Sequence, residues 1–471
     1  MSERSGARIL LEVLKAEGVD VVFGIPGGSV IPILDAFYGD KDVRFILMRH
    51  EQGAGHAADG YARATGKVGV CLATSGPGAT NLVTALATAN FDSVPMVAIT
   101  GQVKTNLIGN DAFQEADITG IARPCTKHTY LVKEVNRLAE CLRAAFHIAR
   151  TGRPGPVLVD IPVDVAVAKT DAPIPDHVDL PGYKPVTKGN RRQVRRAAEA
   201  INAAERPLLY VGGGVILSGA SDLLRQLAVR ANIPVTTTLM GLGAFPEDHP
   251  LSVKMLGMHG TAYANYAVQE SDLLIAVGAR FDDRITGDIK KFAPHATILH
   301  VDIDPSSISK SIRVDIPVVG DAADILAGLL ELVECRDHGP WLAQIAAWKA
   351  KHPLAYKDEG LKPQYVVEQI CEASGGKAVV CTEVGQNQMW AAQWFTHRYP
   401  RHFISSGGLG TMGYGFPAAL GAQVGRPDAI VVDVAGDGSI QMNIQELAPA
   451  VHNRIPVKIC ILNNGYLGMV R

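Results

Sequence analysis

Two short polar segments near the C-terminal end of this 471-residue sequence have the composition and spacing of a metal and phosphate site. The apolar run AIVVDV leads into Gly436, Asp437 and Gly438, and the run VKICIL leads into Asn463 and Asn464. Neighbouring parallel strands end at the same edge of a sheet, so the side chains of Asp437 and Asn464 are expected to meet there. A carboxylate, an amide oxygen and a backbone carbonyl suit Mg²⁺, and the glycines let the backbone approach a diphosphate closely. Either segment alone is equally typical of a turn; their joint occurrence predicts the site.

Two other segments carry residues that could act on a small ligand. Glu51 follows the apolar run RFILMRH, and its simplest interpretation is an acid that opens a helix, where the helix dipole favours it. With His50 and His56 it does not form the H-E-x-x-H motif of zinc proteases. Residues 408–413 spell G-x-G-x-x-G, a weak nicotinamide fingerprint here because no acid follows at a convincing ribose-binding position.

Three sets of short apolar runs must position these residues. The first set is VVFGIPGG (21–28), RFILMRH (44–50), VGVCLATSGPG (68–78), VPMVAITGQ (94–102) and VLVDIPVDV (157–165). The second set is RPLLYVGGG, IPVTTTLMGLG, DLLIAVGARF, ATILHVDID and IPVVGDA, and the third is GKAVVCTEVG, HFISSGGLG, AIVVDVAGDG and VKICILNN. Runs that are apolar on both faces are typical of parallel strands covered by helices on both sides.

The sequence therefore predicts an α/β protein of three consecutive domains, each with a parallel sheet flanked by helices. We expect the domains to span residues 1–165, 191–335 and 364–471, with linkers at 166–190 and 336–363. The last predicted strand ends only a few residues before Arg471, so we expect a third domain that is incomplete and a chain that is truncated at its C-terminal end.

The composition excludes several classes of protein. The formal net charge is only −2, so no basic field indicates binding to nucleic acid or to an anionic membrane. The seven cysteines are scattered without a C-x-x-C pair, which is typical of reduced thiols in a cytoplasmic protein. The N-terminus is not a signal peptide: Ser5 is a candidate helix cap, the positions Ile9, Leu10, Val13 and Leu14 form an apolar stripe, and Gly18 ends the helix.

A set of motifs along the whole chain carries a family resemblance. The motifs are RHEQGAGHAADGYAR, SGPGATN, GNDAFQE, GRPGPVLVDIP, TTLMGLG, GMHGTAYANYAV, RFDDRITG, VGQNQMWAAQ and SSGGLGTMGYG. Together with GDG and NN they resemble the catalytic large subunit of the acetohydroxyacid synthase (acetolactate synthase) family, whose members depend on thiamine diphosphate. The resemblance implies a thiamine-diphosphate-binding fold at both ends of the chain and a Rossmann-like central domain.

The same resemblance assigns roles to individual residues. Glu51 would hydrogen-bond the N1′ atom of the cofactor's aminopyrimidine, Phe113 and Gln114 would flank the substrate channel, and Arg284 would bind the carboxylate of the second 2-ketoacid. An ion pair with Asp282 or Asp283 is the alternative for Arg284. Thiamine diphosphate would contact Val384, Gly385, Gln386, Asn387, Gly410, Met412, Gly436, Gly438 and Ser439. Mg²⁺ would be held by Asp437, Asn464 and the backbone carbonyl of Tyr466.

In the central segment the resemblance implies FAD, which does no redox work in this reaction. Its contacts would be Arg153, Gly212, Gly213, Gly214, Met258, His259, Arg280, Asp283, Asp302 and Asp321. Gly213 and Gly214 follow a predicted strand and Asp302 ends another, so a dinucleotide site is physically reasonable. The alternative is a structural middle domain that binds no flavin.

The implied activity is the decarboxylation of pyruvate and the joining of the remaining two-carbon unit to pyruvate or 2-ketobutyrate, which begins branched-chain amino acid synthesis. The family also implies a homodimer with shared active sites, a possible tetramer and a small regulatory subunit. Sulfoacetaldehyde acetyltransferase is one alternative, and an inactive fragment that binds FAD or a partner is another. Glyoxylate carboligase is disfavoured because it typically lacks an acid at the position of Glu51.

Three positions depart from the family pattern. Lys104 replaces a proline at the channel mouth, Val163 replaces a lysine that faces the substrate entrance, and Asn387 replaces a histidine but keeps a hydrogen-bond donor. The family also has, beyond the position of Arg471, a tryptophan that selects the second ketoacid and a lid over the cofactor.

Overall fold

The computed structural model describes residues 3–357 and 359–471, which form two compact units. Among these residues, the first unit comprises 3–184, 379–385 and 404–471, and the second comprises 185–357, 359–378 and 386–403. Within the described ranges, no helix has both the length and the apolar character that a membrane crossing requires.

The N-terminal part of the first unit is built around a six-stranded sheet. The six strands of this sheet are β2 (Val21–Gly24), β3 (Arg44–Leu47), β4 (Gly69–Ala73), β5 (Met96–Gln102), β6 (His128–Leu131) and β7 (Pro156–Pro162). Two further strands, β1 (Arg4–Ser5) and β8 (Lys169–Thr170), form a separate antiparallel pair. The helices are α1 (Gly6–Ala16), α2 (Ile31–Phe37), α3 (Glu51–Thr65), α4 (Pro77–Asn81), α5 (Val83–Phe91), α6 (Ile118–Ala122), α7 (Leu138–Arg150) and α8 (Val163–Val167). The sheet has the order β3-β2-β4-β5-β7-β6 and all its pairs are parallel, as the apolar runs predicted.

Helix α1 shows how local sequence sets an element. The Ser5 side chain accepts a hydrogen bond from the Arg8 backbone N–H, and the predicted apolar stripe is buried. Gly18, two residues after the last helical residue, has a φ of 75°, a conformation that favours glycine. The predicted start and stop of this helix are confirmed.

The second unit contains its own six-stranded parallel sheet. Its strands are β9 (Pro207–Val211), β10 (Val235–Thr237), β11 (Ser252–Met255), β12 (Leu273–Val277), β13 (Thr297–Asp302) and β14 (Ile316–Val319), in the order β11-β10-β9-β12-β13-β14. The helices are α9 (Arg191–Ala203), α10 (Gly213–Leu217), α11 (Ser221–Ala231), α12 (Ala262–Glu270), α13 (Asp283–Thr286), α14 (Ala322–Leu332), α15 (Gly339–Lys351), α16 (Pro363–Ala373) and α17 (Gln386–Trp394).

Two elements of the second unit were missed by the sequence patterns. Strand β11 lies at the edge of the sheet, and Lys254 interrupts its apolar character. Helix α15 lies within the stretch 336–363 that we expected to be a linker. Its Trp341 and Ile345 are buried, and the indole N–H of Trp341 donates to the carbonyl of Pro207 over 3.0 Å. Helix α15 therefore packs on the rest of the second unit through these two side chains.

The C-terminal part of the first unit adds a four-stranded sheet. Its strands are β15 (Val379–Thr382), β16 (Phe403–Ile404), β17 (Val431–Gly436) and β18 (Lys458–Leu462), in the order β16-β15-β17-β18, and its helices are α18 (Gly415–Gly425) and α19 (Leu447–His452). The stretch IQMNIQELAPAVHN (440–453), which connects β17 to β18, is not one continuous helix. Residues Ile440–Glu446 form a 3₁₀ helix with non-helical backbone at Asn443, and α19 follows. The Asn443 amide donates to the Gly413 carbonyl over 2.6 Å, which stabilises the kink.

Helices α3 and α18 approach each other through glycines. A Cβ built on Gly421 of α18 would lie 1.8 Å from the carbonyl oxygen of Ala57, and one built on Gly60 of α3 would lie 2.0 Å from the carbonyl oxygen of Ala418. Neither distance is compatible with a real side chain. The two backbones are therefore in direct contact, and this contact joins the N-terminal and C-terminal sheets within the first unit.

We expect Gly421→Ala to destabilise the first unit by about 3 kcal/mol, because overpacking a closed contact outweighs the gain in helix propensity. The measurement is the urea unfolding transition followed by circular dichroism. Gly182→Ala is the control: nothing lies within 4 Å of a Cβ built there, so its effect should stay within about 0.5 kcal/mol. A stabilising Gly421→Ala variant would contradict the packing described here.

Candidate functional site

The carboxyl ends of three neighbouring strands carry the segments that the sequence predicted for a metal and a diphosphate. In the parallel pair β17–β18, Gly436 lies opposite Leu462, so the segments beginning at Asp437 and Asn463 follow adjacent strand ends. Strand β15, which pairs with β17, is followed closely by Val384 and by Gly385, whose φ is 147°. The predicted adjacency of these strand ends is confirmed.

The donors at this edge suit a hard cation and an anion. Ser439 is buried, and its hydroxyl has no hydrogen-bond partner within residues 3–357 and 359–471. Such a group is costly unless a ligand completes its bonding. Asp437 is half-buried, and Asn464 is exposed with its amide oxygen accepting the Tyr466 N–H over 3.0 Å. A carboxylate, an amide oxygen and the carbonyl of Tyr466 form a donor set that fits Mg²⁺.

The end of the loop at residues 408–413 is hydrogen-bonded to a buried carboxylate. Glu383 accepts hydrogen bonds from the backbone N–H groups of Gly413 over 2.8 Å and Phe416 over 3.1 Å, at the start of α18. Gly410 has a φ of 71°, and Met412 is half-buried rather than part of a closed core. The loop therefore has a fixed backbone and presents a partly accessible methionine.

Glu383 lies beside a second buried acid, Asp433 of β17. Burial raises the pKa of Glu383 to about 7, although its backbone hydrogen bonds oppose the shift. Burial and the charge of Glu383 raise the pKa of Asp433 well above its ordinary value. Neither carboxylate oxygen of Asp433 has a hydrogen-bond partner within the described ranges. The sequence analysis missed this pair, because Asp433 looks like a single polar residue within an apolar strand.

Glu51 is the first residue of α3 and is 8% exposed. Its Oε2 atom accepts a hydrogen bond from the Asn81 amide over 2.9 Å, and its Oε1 atom lies 3.2 Å from a Cβ built on Gly78. Glu51 is therefore an acid at the start of a helix, as the simplest interpretation of its sequence position predicted. It also contacts the SGPGATN segment (75–81), where the Glu51 and Thr74 side chains leave little room for a residue larger than glycine at position 78.

Glu446, the last residue of the 3₁₀ helix that follows β17, forms hydrogen bonds with the backbone at the start of α3. The Glu446 carboxylate accepts the N–H of His50 over 2.9 Å and that of Arg49 over 3.1 Å. Burial raises the pKa of Glu446 to about 7 against the effect of these hydrogen bonds. Nothing in the local sequence distinguishes Glu446, so its role follows from the tertiary structure alone.

A buried ion-pair network surrounds the contact of α3 with α18. Arg63 is within 2.6 Å of Asp59 and 2.9 Å of Asp92, and its guanidinium also donates to the Ser405 carbonyl over 2.9 Å. The Tyr414 hydroxyl donates to Asp59 over 2.5 Å. Burial raises the pKa of the Asp59 carboxyl, and the charge of Arg63 opposes that shift. The sequence analysis also missed this network, because Asp92, Ser405 and Tyr414 are remote from Arg63 in sequence.

Asp92 extends the network to the loop that precedes Gly410. Its carboxylate accepts the backbone N–H groups of Gly407 over 3.0 Å and Gly408 over 2.7 Å. The hydroxyls of Thr88 and Thr411 share a further hydrogen bond of 2.7 Å. The loop is thus anchored to the end of α5 as well as to Glu383.

The residues predicted for the substrate lie on the surface. Phe113 is 88% exposed, and Gln114 has a φ of 59° and packs its backbone close to Gly76. The Arg284 side chain is 68% exposed and its Nε atom lies 3.8 Å from Asp283, so the ion-pair alternative is present in this structure.

The glycines predicted for FAD are explained by packing in the second unit. A Cβ built on Gly212 would lie 2.1 Å from the Gly278 carbonyl oxygen, and one built on Gly214 would lie 2.7 Å from the Gly278 Cα. Gly213 has more space, with Met240 at 3.2 Å. These residues lie where β9 and β12 end, which is the point where the strand order of the sheet reverses and where such sheets bind ligands.

The other residues predicted for FAD have the following places. Asp321 caps α14 and accepts the Ser218 hydroxyl, Asp302 accepts the N–H of Asp304, and Arg280 donates to Asp282 over 3.0 Å. Met258 is 63% exposed, and burial lowers the pKa of the half-buried His259. Asp283 is the first residue of α13, and Arg153, in the first unit, donates to the Ser93 hydroxyl over 2.8 Å.

The remaining predicted cofactor residues, Gln386 and Asn387, begin helix α17 in the second unit. Asn387 is buried. Of the other two departures from the family pattern, Lys104 is exposed and Val163 is half-buried at the start of α8.

Comparison with known proteins identifies relatives along the whole chain. Family models of thiamine pyrophosphate enzymes match residues 4–121 (N-terminal TPP binding domain), 194–329 (central domain) and 383–471 (C-terminal TPP binding domain). The acetolactate synthase large subunit of Corynebacterium glutamicum is 54% identical over 99% of this chain and 76% of its own length. Acetolactate synthase of Mycobacterium bovis is 52% identical over 100% of this chain and 78% of its own length. The acetolactate synthase large subunit of Haemophilus influenzae is 50% identical over 100% of this chain and 84% of its own length.

We expect Arg63→Met to destabilise the first unit by about 3–5 kcal/mol, because it leaves the carboxylates of Asp59 and Asp92 buried without a counter-charge. The urea transition measures this loss. Arg137→Met is the control, since Arg137 pairs with Glu140 over 3.4 Å on the surface and should contribute less than about 1 kcal/mol. Equal losses in the two variants would show that the buried network is not specifically stabilising.

We expect Glu446→Gln to flatten the dependence of stability on pH. The folded protein holds the Glu446 proton up to a pKa of about 7, whereas the ordinary value is 4.5. The protonated carboxyl of Glu446 therefore stabilises the folded protein at low pH. This stabilisation is lost as the pH rises from 4.5 to about 7, by up to about 1.4 kcal/mol per pH unit. Urea midpoints from about pH 5 to about pH 8 measure the slope, with the exposed Glu140→Gln as control. Identical slopes in all three proteins would refute the assignment.

Proposed function

Since the chain belongs to the acetolactate synthase large-subunit family of thiamine pyrophosphate enzymes, we propose that it decarboxylates pyruvate and joins the two-carbon unit to a second 2-ketoacid. Pyruvate as acceptor gives 2-acetolactate and 2-ketobutyrate gives 2-aceto-2-hydroxybutyrate, the first common step of branched-chain amino acid synthesis. The observation that carries this proposal is the buried carboxyl of Glu51 at the start of α3, which Glu446 ties to the C-terminal sheet.

The residues at the strand ends of the C-terminal sheet would hold the cofactor and its metal. Asp437, Asn464 and the Tyr466 carbonyl are the proposed ligands of Mg²⁺. The proposed contacts of thiamine diphosphate are Val384, Gly385, Gln386, Asn387, Gly410, Met412, Gly436, Gly438 and Ser439. The buried hydroxyl of Ser439, which has no hydrogen-bond partner in the part of the chain that the structure describes, supports an anion there. When bound, the cofactor supplies the electron sink that allows pyruvate to lose CO₂.

Glu51 is proposed to share a proton with a ring nitrogen of the cofactor. Asn81 occupies Oε2, so Oε1 is the oxygen that remains for this bond. Its low exposure keeps water away from the shared proton, and a carboxyl in such a site is suited to acid–base work. Glu446 acts as a positioning residue, because it fixes the two backbone groups that precede Glu51.

Arg284 is proposed to bind the carboxylate of the second ketoacid. Its ion pair with Asp283 is long and exposed, so little stability is lost when a substrate carboxylate replaces that partner. Phe113 and Gln114 are proposed to flank the path of the substrate. Their exposure leaves both available for contact.

The remaining family properties are proposals as well. FAD is assigned to Arg153, Gly212, Gly213, Gly214, Met258, His259, Arg280, Asp283, Asp302 and Asp321, with the reversal of strand order at β9 and β12 as support. We also propose a cytoplasmic homodimer or tetramer that shares active sites and binds a regulatory small subunit. The domains are proposed to span residues 1–165, 191–335 and 364–471.

A related thiamine enzyme that acts on sulfoacetaldehyde is the second candidate. It is favoured by Val163, which lacks the positive charge that the biosynthetic pattern places at the substrate entrance. Product analysis distinguishes the two, because acetolactate formed from pyruvate alone requires the carboligase.

We expect Glu51→Gln to lower acetolactate formation by about 10²–10⁴-fold, because a neutral amide cannot exchange the proton. The assay uses the purified chain with Mg²⁺, thiamine diphosphate, FAD and pyruvate. Glu140→Gln removes the same charge from an exposed position on α7 and should leave the rate unchanged.

The proposal for Glu51 fails if its Gln variant retains the wild-type rate. The proposed activity fails if the unmodified chain yields no acetolactate while it converts sulfoacetaldehyde in the presence of the same cofactors. Circular dichroism of each variant establishes that the compared proteins are folded.

A further inference from the structure

The second unit contains a cavity of about 960 Å³ that the proposed function does not use. It lies among β11, α12, α15, α16 and α17, and its walls include Lys254, Tyr263, Lys349, Glu368 and Trp394. Among the described residues, none of those proposed above for substrate, metal or cofactors lines it. Its volume is that of a site for an organic ligand of moderate size.

Lys254 enters this cavity from a strained backbone. Strand β11 has an extra residue relative to β10, because Val235 pairs with Ser252 whereas Thr237 pairs with Met255. Lys254 lies in this bulge with a φ of 59°, a conformation that is uncommon for a residue with a side chain. Bulges redirect side chains, and strained residues concentrate at functional sites. A glycine would adopt the same backbone without strain, so the ammonium is present at a cost to folding.

A second lysine lies beside it. The Lys349 ammonium donates to the Ser252 carbonyl over 2.5 Å, and that of Lys254 is 3.5 Å from the Gln393 carbonyl. Within residues 3–357 and 359–471, neither ammonium forms an ion pair with a carboxylate. Burial and the nearby charge of Lys254 lower the pKa of Lys349. The two cations are thus close enough to repel each other, and an anion between them would relieve the repulsion.

The other charged groups around the cavity have hydrogen-bond partners of their own. Arg398 is paired with Asp248 over 2.6 Å, and Glu368 and Glu372 accept hydrogen bonds from neighbouring side chains. Glu247 is buried, and burial raises its pKa to about 7 although the charge of Lys254 opposes this shift. It therefore compensates only part of the positive charge near neutral pH. Glu368 and Glu372 keep their negative charge, since their donors are neutral, whereas within the described ranges the two lysine ammonium groups donate to backbone carbonyls and are not paired with either acid.

We propose that this cavity binds a phosphomonoester with an aromatic body, its phosphate on Lys254 and Lys349 and its ring against Trp394 and Tyr263. Lysines act as compact charges that suit a tetrahedral dianion, whereas a planar carboxylate is better matched by arginine. The Lys349 ammonium lies 5.8 Å from the Tyr263 ring centroid, so phosphate and ring sites adjoin. The aromatic walls offer rigid apolar surface for the ring.

Phenyl phosphate is the probe, titrated by calorimetry into protein saturated with Mg²⁺, thiamine diphosphate and FAD so that the cofactor sites are filled. We expect saturable binding that weakens about tenfold in Lys254→Gly and in Lys349→Met, the loss of one charged hydrogen-bond donor. Lys254→Gly also removes the backbone strain, so it should fold at least as well as the original protein. Phenol should bind more weakly than phenyl phosphate because it lacks the anion.

Lys351→Met is the matched control, since Lys351 is an exposed lysine at the end of the same helix and does not line the cavity. Its affinity for phenyl phosphate should equal that of the original protein. The proposal is overturned if phenyl phosphate does not saturate, if both cavity variants bind it normally, or if Lys351→Met weakens it equally. Inorganic phosphate that binds as tightly as phenyl phosphate would overturn the aromatic specificity. The readout is binding, so it stands apart from the outcome of the acetolactate assay.

Discussion

The backbone contact between helices α3 and α18 is the constraint on which the rest of the first unit depends. Gly60 and Gly421 bring the helices so close that no side chain separates them at these points. Water is excluded around such a contact, and polar groups there must find partners within the protein. Arg63 meets this requirement by pairing with both Asp59 and Asp92. Close packing and a buried ion network are therefore two aspects of one arrangement.

This arrangement sets the geometry of the candidate site. Asp92 binds the backbone of Gly407 and Gly408, and Glu446 binds the backbone that precedes Glu51. Each of these carboxylates links a segment of the N-terminal sheet region to one of the C-terminal sheet region. Site residues more than 300 positions apart in sequence are thereby held by hydrogen bonds to backbone groups, which are less adaptable than side chains.

Three buried acids lie near the C-terminal sheet. Burial raises the pKa values of Glu383, Asp433 and Glu446, so each retains its proton more readily than an exposed acid. Such groups lower stability toward neutral pH, and a purely structural core would replace them with apolar residues. Their position below the loop at 408–413 and at the start of α3 agrees with the general tendency of perturbed acids to gather at functional sites.

The sequence by itself determined the parallel strands, the adjacency of the strand ends that precede Asp437 and Asn463, and the family, because apolar runs and turn glycines act through neighbouring residues. The edge strands β6 and β11 escaped prediction because they are short and carry polar residues. Only the tertiary structure decided the roles of Glu446 and Arg63, and it alone brought Lys254 beside Lys349. These features depend on how closely remote segments approach, and that distance is set by the packing of whole helices and sheets rather than by any local pattern.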